Sequence, residues 1–197
     1  MLDSFYQIFV LFFVAAISEN IVLNKFLGIC PFLGVSKKLS SAYQMGLAVT
    51  FVIVFSSLVT WLIDKFILVP YNLEFLKIVS FILIIASSVQ FVELYLKKYF
   101  QDVYEAFGVY LPLITTNCAI LGVALLNVQY QHNLFESIFY PLGNGIGFII
   151  ALVLMAGIRE KLDLADIPKP FRGTPAALII AALLALAFTG LKTIVLN

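Results

Sequence analysis

Charged residues are scarce in this chain. Only 12% of its 197 residues are Asp, Glu, Lys or Arg, while 62% are hydrophobic. Soluble domains carry about 25% charged and about 45–50% apolar residues. The composition therefore excludes an ordinary soluble domain and predicts an integral membrane protein surrounded by lipid. A net charge of +1, with no basic arm or run of like charges, gives no support for nucleic-acid binding.

Cysteines and long polar segments are also scarce. Two cysteines are too few for a disulfide framework. No polar linker or low-complexity run separates two cores, so we expect one membrane domain over residues 1–197. The N-terminal apolar run lacks the preceding basic residues of a cleavable signal and is long for one. We therefore interpret this run as the first membrane helix.

Six apolar stretches are long enough to cross a bilayer, which takes about 20 residues in a helix. They are Phe5–Phe26, Ala42–Ile63, Leu76–Leu96, Phe107–Leu126, Phe135–Ile158 and Ala176–Val195. Long apolar runs that do not alternate with polar residues are typical of helices rather than membrane strands. The predicted fold is therefore all-α, with six transmembrane helices.

Basic residues are distributed unevenly between the two sides of this predicted bundle. The loops after spans one, three and five hold eight of them: Lys37, Lys38, Lys97, Lys98, Arg159, Lys161, Lys169 and Arg172. The opposite side holds three: Lys65, Lys77 and Lys192. Because basic loops tend to stay in the cytoplasm, the pattern predicts that both termini lie outside.

A six-residue pattern, C-x-x-L-G-V, occurs twice and contains both cysteines. Its copies are Cys30–Val35 and Cys118–Val123. Three predicted spans separate the copies, so the two halves, about residues 1–98 and 99–197, would enter the membrane in opposite directions. Inverted repeats are typical of transporters, whose sites lie near the midplane on broken helices. Gly and Pro loosen a helix, and Thr and Asn side chains can bond the backbone groups that a break leaves free. Such residues predict a break near each cysteine: Gly28, Pro31, Gly34, Pro112, Thr115, Thr116, Asn117 and Gly122.

The two cysteines allow several interpretations. A membrane cysteine is usually a small apolar packing residue, and a disulfide between Cys30 and Cys118 would be a static link. Their matching positions in two predicted helix breaks favour a ligand role, because a thiolate in an apolar setting needs a cation. Soft metals and iron–sulfur clusters usually take four thiolates. A site built on these two cysteines must therefore be shared with a partner.

Polar residues in or near the predicted spans form a candidate ion path. An acidic residue within a membrane span commonly serves ions or protons, although Glu19 would also suit an ion pair with Lys25. The full set of candidates is Glu19, Asn24, Thr115, Thr116 and Asn117. A cluster of glycines in span five indicates tight helix packing rather than nucleotide binding: Gly143, Gly145 and Gly147.

The two motif regions resemble the signatures of the RnfA/NqrE family of membrane subunits. Residues 26–38, Phe-Leu-Gly-Ile-Cys-Pro-Phe-Leu-Gly-Val-Ser-Lys-Lys, are similar to the first signature, and residues 111–119, Leu-Pro-Leu-Ile-Thr-Thr-Asn-Cys-Ala, to the second. The length, the six spans and the Arg159-Glu160-Lys161 loop also fit, so the resemblance covers nearly the whole chain. The motifs and the predicted orientation resemble the RnfA branch more closely than NqrE or the oppositely inserted RnfE.

This resemblance implies a component of an Rnf-type complex in a bacterial or archaeal cytoplasmic (inner) membrane. Such complexes couple electron transfer between reduced ferredoxin and NAD to Na⁺ or H⁺ transport. The family implies that Cys30 and Cys118 are iron ligands of an intramembrane [2Fe–2S] cluster, shared with a homologous, RnfE-like subunit of opposite orientation. Other subunits carry flavins and iron–sulfur clusters. The chain would then be part of a translocase and not catalytic alone.

Three other functions stay open on the sequence. One is an NqrE-like subunit of a Na⁺-translocating NADH:quinone reductase. Another is a small secondary ion transporter whose cysteines are inert, with Glu19 and Asn117 in its ion site. The third is a purely structural subunit, in which both cysteines should tolerate Ser.

Overall fold

The computed structural model describes residues 2–36, 38–71, 74–99, 111–164, 168 and 173–195. Within these residues every regular element is helical and none is a strand, which confirms the all-α prediction. The α-helices are α1 (Leu2–Phe13), α2 (Ile29–Gly34), α3 (Leu39–Ile63), α4 (Lys77–Tyr99), α5 (Leu111–Thr115), α6 (Cys118–Gln129), α7 (Glu136–Asp163) and α8 (Thr174–Val195). Short π-helical turns cover Val14–Ser18 and Asp64–Leu68, and a 3₁₀ turn covers Glu74–Leu76.

Three helical segments in the described part of the chain have the length and apolar character needed to cross a bilayer. They are Leu39–Leu68, Pro112–Gln129 and Glu136–Leu162. Shorter apolar helices, Ile8–Ser18, Lys77–Phe91 and Thr174–Gly190, lie at the other three predicted spans. Residues 107–110 of the fourth predicted span lie outside the described residues. The six-span inverted repeat stays a prediction.

Helices α3 and α7 pack side by side and form the centre of the molecule. A Cβ on Gly46 of α3 would lie 2.8 Å from the Ile149 side chain of α7, and Gly145 of α7 faces Thr50 of α3. Large side chains from both helices are fully buried between them and their neighbours: Met45, Ile53, Phe148, Leu152 and Met155. Since lipid is as apolar as these side chains, close van der Waals packing is what favours this association.

The exposed surface is apolar, as a lipid-facing surface should be. Large hydrophobic side chains point outward from several helices and turns, among them Phe51, Phe66, Phe75, Leu83 and Leu186. A contiguous surface of this kind on a soluble monomer would be exceptional. It is consistent with the membrane environment that the composition predicts.

Glycines of α7 allow another segment to approach at backbone distance. A Cβ on Gly143 would lie 2.7 Å from the carbonyl oxygen of Phe12, and one on Gly147 would lie 2.5 Å from that of Ala16. The end of α1 and the π-helical turn Val14–Ser18 therefore lie directly against α7. This contact confirms that the glycines of span five serve tight helix packing.

Candidate functional site

The first membrane helix ends earlier than its apolar run predicts. The predicted span continues to Phe26, but helical structure ends at Ser18 and the chain from Glu19 to Gly28 is irregular. The reason is Asn20, which is fully buried. Its Oδ1 accepts hydrogen bonds from the backbone N–H groups of Val22 and Leu23, at 3.0 and 3.3 Å. Asn20 thus replaces helical bonds that a buried backbone cannot leave unmade.

The same asparagine ties the broken segment to α7. Asn20 Nδ2 donates to the backbone carbonyl of Gly147 at 2.7 Å. This contact is possible because Gly147 has no side chain, since a Cβ there would lie 3.1 Å from Asn20 Nδ2. With a further, longer bond from Nδ2 to the Ala16 carbonyl at 3.5 Å, one buried amide satisfies four backbone groups and fixes where the break lies along α7.

Cys30 lies on the short helix α2, just after this break. Gly28 precedes the helix with φ of +82°, a left-handed conformation that glycine adopts without strain. Cys30 is exposed, whereas the neighbouring Pro31 is buried. Of the three residues that predicted a break around Cys30, Gly28 lies at the break, whereas Pro31 and Gly34 lie within α2. Pro31 is tolerated because the N–H groups of a first helical turn have no helical acceptor.

Cys118 lies at a second, tighter break. Helix α5 ends at Thr115, and Thr116 Oγ1 donates back to the carbonyl of Pro112 at 2.9 Å. Asn117 is extended, and its Oδ1 accepts from the N–H of Ala119 at 3.0 Å, which caps α6. Cys118 is the first residue of α6 and is exposed.

The two motifs meet directly. The backbone N–H of Gly28 donates to Cys118 Sγ at 2.9 Å. The space beside Gly28 is filled by Phe148, Ala119 and Asn117, at 2.9, 3.1 and 3.3 Å from where a Cβ would lie. Phe148 is close to the middle of α7. The contact between the motifs therefore lies well inside the predicted membrane span rather than at either end of it.

The donor set is that of a two-thiol site. Both cysteines are free, so no disulfide joins them. Among the described residues, no three His, Cys, Asp or Glu side chains are grouped so as to hold a metal ion. Asn117 Nδ2 is buried beside Cys118 and has no hydrogen-bond partner within the described part of the chain. An exposed thiol next to an available N–H donor suits a ligand that a second molecule helps to hold.

Residues of the candidate ion path lie at both breaks. Glu19 follows the π-helical turn and lines a cavity with Tyr130, His132 and Tyr140. Asn24 is held by Nδ2 donation to the Ser18 carbonyl at 2.7 Å. At the second break, Thr116 and Asn117 make the local bonds described above, and Thr115 is the last residue of α5. The role of these residues as an ion path stays a prediction.

Arg159 is a residue of this region whose contacts the sequence did not predict. Its Nη1 donates to the Leu33 carbonyl at 2.7 Å and to Ser36 Oγ at 2.8 Å. A cation at the carboxyl end of a helix is favourable because unpaired carbonyls point there. Beside it, Glu160 Oε1 accepts from the N–H of Leu39, the first residue of α3, at 3.2 Å. The end of α7 therefore holds the link between α2 and α3.

Interrupted helices within an apolar bundle, each with an exposed cysteine next to the interruption, define a helical membrane protein. Comparison with known proteins gives the family. A family model described as "Rnf-Nqr subunit, membrane protein" matches residues 8–195. The chain belongs to this family, and the resemblance that the two motifs indicate is confirmed.

The names of individual relatives agree with this family. A protein of Azoarcus sp. (strain BH72), named as the A-type subunit of an "ion-translocating oxidoreductase complex", is 53% identical over 175 residues, which is 89% of this chain and 91% of that protein. Proteins with the same name in Aromatoleum aromaticum and Escherichia coli (strain K12 / DH10B) are 50% and 51% identical. The Escherichia coli alignment covers 94% of this chain and 96% of that protein.

Proposed function

We propose that this chain is the RnfA-type membrane component of an ion-translocating oxidoreductase complex. In this role it is a membrane part of a translocase that couples electron flow between reduced ferredoxin and NAD to the transport of Na⁺ or H⁺. Membership of the Rnf-Nqr family and the names of relatives about half identical in sequence support the proposal. The contact between the two cysteine motifs is the structural observation that carries it.

Cys30 and Cys118 suit one half of a [2Fe–2S] site. Such a cluster takes four protein ligands, usually thiolates, and this chain has two cysteines in all. The remaining two would come from a homologous, RnfE-like subunit of opposite orientation. When bound, the cluster would accept one electron and pass it on between the flavin and iron–sulfur subunits of the complex.

The residues around the cysteines position the two sulfurs. The Gly28 N–H orients Cys118 Sγ, and hydrogen bonds to ligand sulfur are among the factors that set a cluster's reduction potential. Asn20 holds the first break against α7, and Arg159 holds the far end of the helix that carries Cys30. These contacts hold the two segments of the chain that carry Cys30 and Cys118.

The proposed location is the cytoplasmic membrane, with both termini outside. The excess of basic residues in the odd-numbered loops supports this orientation. An RnfE-like partner of opposite orientation would complete a pseudo-symmetric pair. The exposed positions of Cys30 and Cys118 leave both sulfurs accessible to such a partner.

The test is a spectrum of the complex, co-purified without oxygen. Cys30→Ser and Cys118→Ser should each remove one [2Fe–2S] signal from the visible and electron paramagnetic resonance spectra, with the other subunits still bound. Thr116→Ala is the matched control, because Thr116 is exposed at the same break and bonds only within its own turn. Its spectrum should not change. An unchanged spectrum for both serine variants would leave the cysteines as packing residues and favour the secondary transporter.

A further inference from the structure

A cavity of about 380 Å³ lies on the side of α7 that faces the first helix. One wall is apolar and comes from α1 and the π-helical turn, namely Leu11, Val14 and Ala15. The other wall is polar and consists of Glu19, Tyr130, His132 and Tyr140. The apolar lining therefore comes from the first helix and its π-helical turn, and the polar lining comes from the first break, the turn after α6 and the start of α7. Neither cysteine lines it.

The cavity runs from the surface towards the interior of the bundle. Tyr130, in the turn between α6 and α7, is 48% exposed, whereas Tyr140 on α7 is only 3% exposed. The rings of these two tyrosines lie edge to face at 6.1 Å, and the His132 ring lies 4.9 Å from that of Tyr140. The mouth is thus at the turn and the inner end is beside α7.

The turn at the mouth is held in place. Trp61 Nε1 of α3 donates to the His132 carbonyl at 2.9 Å. His132 Nδ1 lies 3.0 Å from Asn127 Oδ1, so the ring has a fixed orientation when Nδ1 carries its proton. The polar wall is therefore part of the packed structure.

Glu19 connects this cavity to the cysteine region. It is the residue directly before Asn20, whose amide bonds to Gly147 of α7. The next residue of α7, Phe148, packs against Gly28 of the first cysteine motif. The carboxylate that lines the cavity thus belongs to the same break that leads to Cys30 and to the contact with Cys118.

The chemistry of the polar wall suits a small inorganic cation. Carboxylate and hydroxyl oxygens are the ligands that hard cations prefer, and aromatic faces also attract cations. A carboxylate also carries protons, and an acidic residue inside a membrane segment commonly serves one of these two tasks.

Tyr140, the residue of α7 that lines the cavity, lies near the start of that helix. All its lining residues come from the first part of the chain or from the turn before α7 and the start of that helix. The opposite end of α7 is occupied by Arg159, which bonds to Leu33 and Ser36.

We propose that this cavity is a half-path for the transported cation, Na⁺ or H⁺, with Glu19 as its charged ligand. The half-path opens at the membrane face that carries the Tyr130–Asn133 turn. It brings the cation to the break in the first helix, next to the segment that carries Cys30. The proposal deepens the proposed function and rests on it for the identity of the transported ion.

The first test measures cation uptake by the whole complex in lipid vesicles, driven by reduced ferredoxin and NAD. One arm measures the uptake of radioactive Na⁺, and the other measures proton uptake with a pH-sensitive dye. The arm that responds identifies the transported cation. Glu19→Gln keeps the side-chain volume but removes the charge, so uptake should fall about tenfold or more. The [2Fe–2S] signal should be retained.

The matched control is Glu136→Gln. Glu136 lies in the same region and accepts a hydrogen bond from the Asn133 N–H, but it does not line the cavity. Cation uptake by this variant should stay within about twofold of uptake by the unmodified complex, because a charge at the surface has only a small electrostatic effect. Unchanged uptake in both arms for Glu19→Gln would overturn the proposal.

A second test measures whether water reaches the cavity, and it does not depend on Glu19 variants assembling. Val14 lines the cavity, while its neighbour Phe13 is exposed on the apolar surface. Val14→Cys should react at least about tenfold faster than Phe13→Cys with a charged, impermeant methanethiosulfonate, since thiolates form in water and not in lipid. The reaction should occur only from the face of the Tyr130 turn. Equal rates, or reaction from the other face, would contradict the proposal.

These outcomes separate the two proposals. If the cysteine variants lose the cluster signal but Glu19→Gln still transports normally, the cavity proposal alone fails. If the serine variants leave the spectrum unchanged, the proposed function fails. In that case the labelling of Val14→Cys still decides whether the cavity is a water-filled path.

Discussion

The two copies of C-x-x-L-G-V differ in how the protein surrounds them. The second copy starts α6, a helix of 12 residues, and its cysteine receives a hydrogen bond from Gly28. The first copy lies in α2, a helix of only six residues, and its far end is held by Arg159. The same six-residue pattern therefore stands in a long helix in one half and in a short, externally held helix in the other.

The glycine of each copy shows the difference most clearly. A Cβ on Gly122 would lie 2.5 Å from Leu27 Cδ1, so the second copy is packed against the segment that leads into the first. A Cβ on Gly34 would meet no atom of the described residues within 4 Å. The second copy thus uses its glycine inside this chain, whereas the glycine face of the first copy is open. An open face is where a partner of the same family could approach as closely as Leu27 approaches Gly122.

The breaks also differ in the reach of their hydrogen bonds. Asn117 caps the helix that follows it within two residues of sequence. Asn20 does the same for its own segment but also bonds to Gly147 on α7. The first break is therefore defined by the fold, and the second mainly by its own sequence.

The largest effect on stability is expected from Gly28→Ala, which disturbs the contact between Gly28 and Cys118 of the second copy. Alanine is strained at φ of +82°, and its Cβ would lie 2.9 Å from the Phe148 ring. We expect the free energy of unfolding to fall by about 3 kcal/mol, from strain and overpacking together. Reversible denaturation in mixed micelles measures it.

The control for that variant is Gly173→Ala. Gly173 has a φ of +93°, and a Cβ there would meet no described residue within 4 Å, so this variant isolates the strain. The expected cost is about 1 kcal/mol. Equal costs at the two glycines would show that the packing around Gly28 contributes nothing.

The next largest effect is expected from Arg159→Gln, which should loosen the first copy and leave the second intact. The variant loses the charged donor to Leu33 and Ser36, and the expected cost is about 2 kcal/mol. Hydrogen exchange should speed up in residues 29–36 more than in residues 118–123.

Arg159→Lys should destabilise the protein less than Arg159→Gln, because lysine keeps the positive charge. It should still be less stable than the unmodified protein, because lysine lacks the forked set of donors. Lys161→Gln, an exposed residue on the same helix end, should have little effect. Equal acceleration in both copies for Arg159→Gln would mean that Arg159 does not act on the first copy in particular.

A smaller effect is expected from the paired variants Gly122→Ala and Gly34→Ala. Gly122→Ala should cost about 1 kcal/mol, since Leu27 must rotate away. Gly34→Ala should be neutral or gain up to about 1 kcal/mol in the isolated chain, because alanine favours a helix. For both variants, denaturation of the isolated chain measures stability, and retention of the other subunits in the complex measures assembly. A clear loss for Gly34→Ala in the isolated chain would contradict the open face.

The smallest effect concerns His132, which lies outside both copies. Burial lowers the pKa of His132 below its usual 6.5, and Glu136 opposes this only in part. The native state therefore binds the proton less readily than the unfolded state, and stability should fall as the pH drops from about 6.5 through the lowered native pKa. His132→Gln should flatten this slope in a series of melting curves between about pH 7 and 5. An identical slope in the variant would exclude His132 as the cause.

The sequence was sufficient for the features that depend on composition and on local chemistry. Long apolar runs predict helices α3 and α7, and Asn117 before Cys118 predicts the second break. Gly28 indicated only the end of the first break, because the break begins near Asn20, well before the glycines and proline that normally mark one.

Contacts between distant residues could not be predicted. Nothing in the local sequence shows that Gly28 would bond to Cys118, or that Arg159 would reach Leu33. Both depend on how α7 lies against the two breaks, and that packing is set by many side chains together. The cavity at Glu19 is of the same kind, since its walls come from α1 and from the turn after α6.

The glycines of α7 have a mechanical consequence. Gly143 and Gly147 place the backbone of the first helix against one face, while Gly145 places Thr50 against another. Because neighbours lie this close on two of its faces, α7 cannot turn about its own axis without collisions. We therefore expect α7 to be the fixed element of the bundle, against which Asn20 positions the first break.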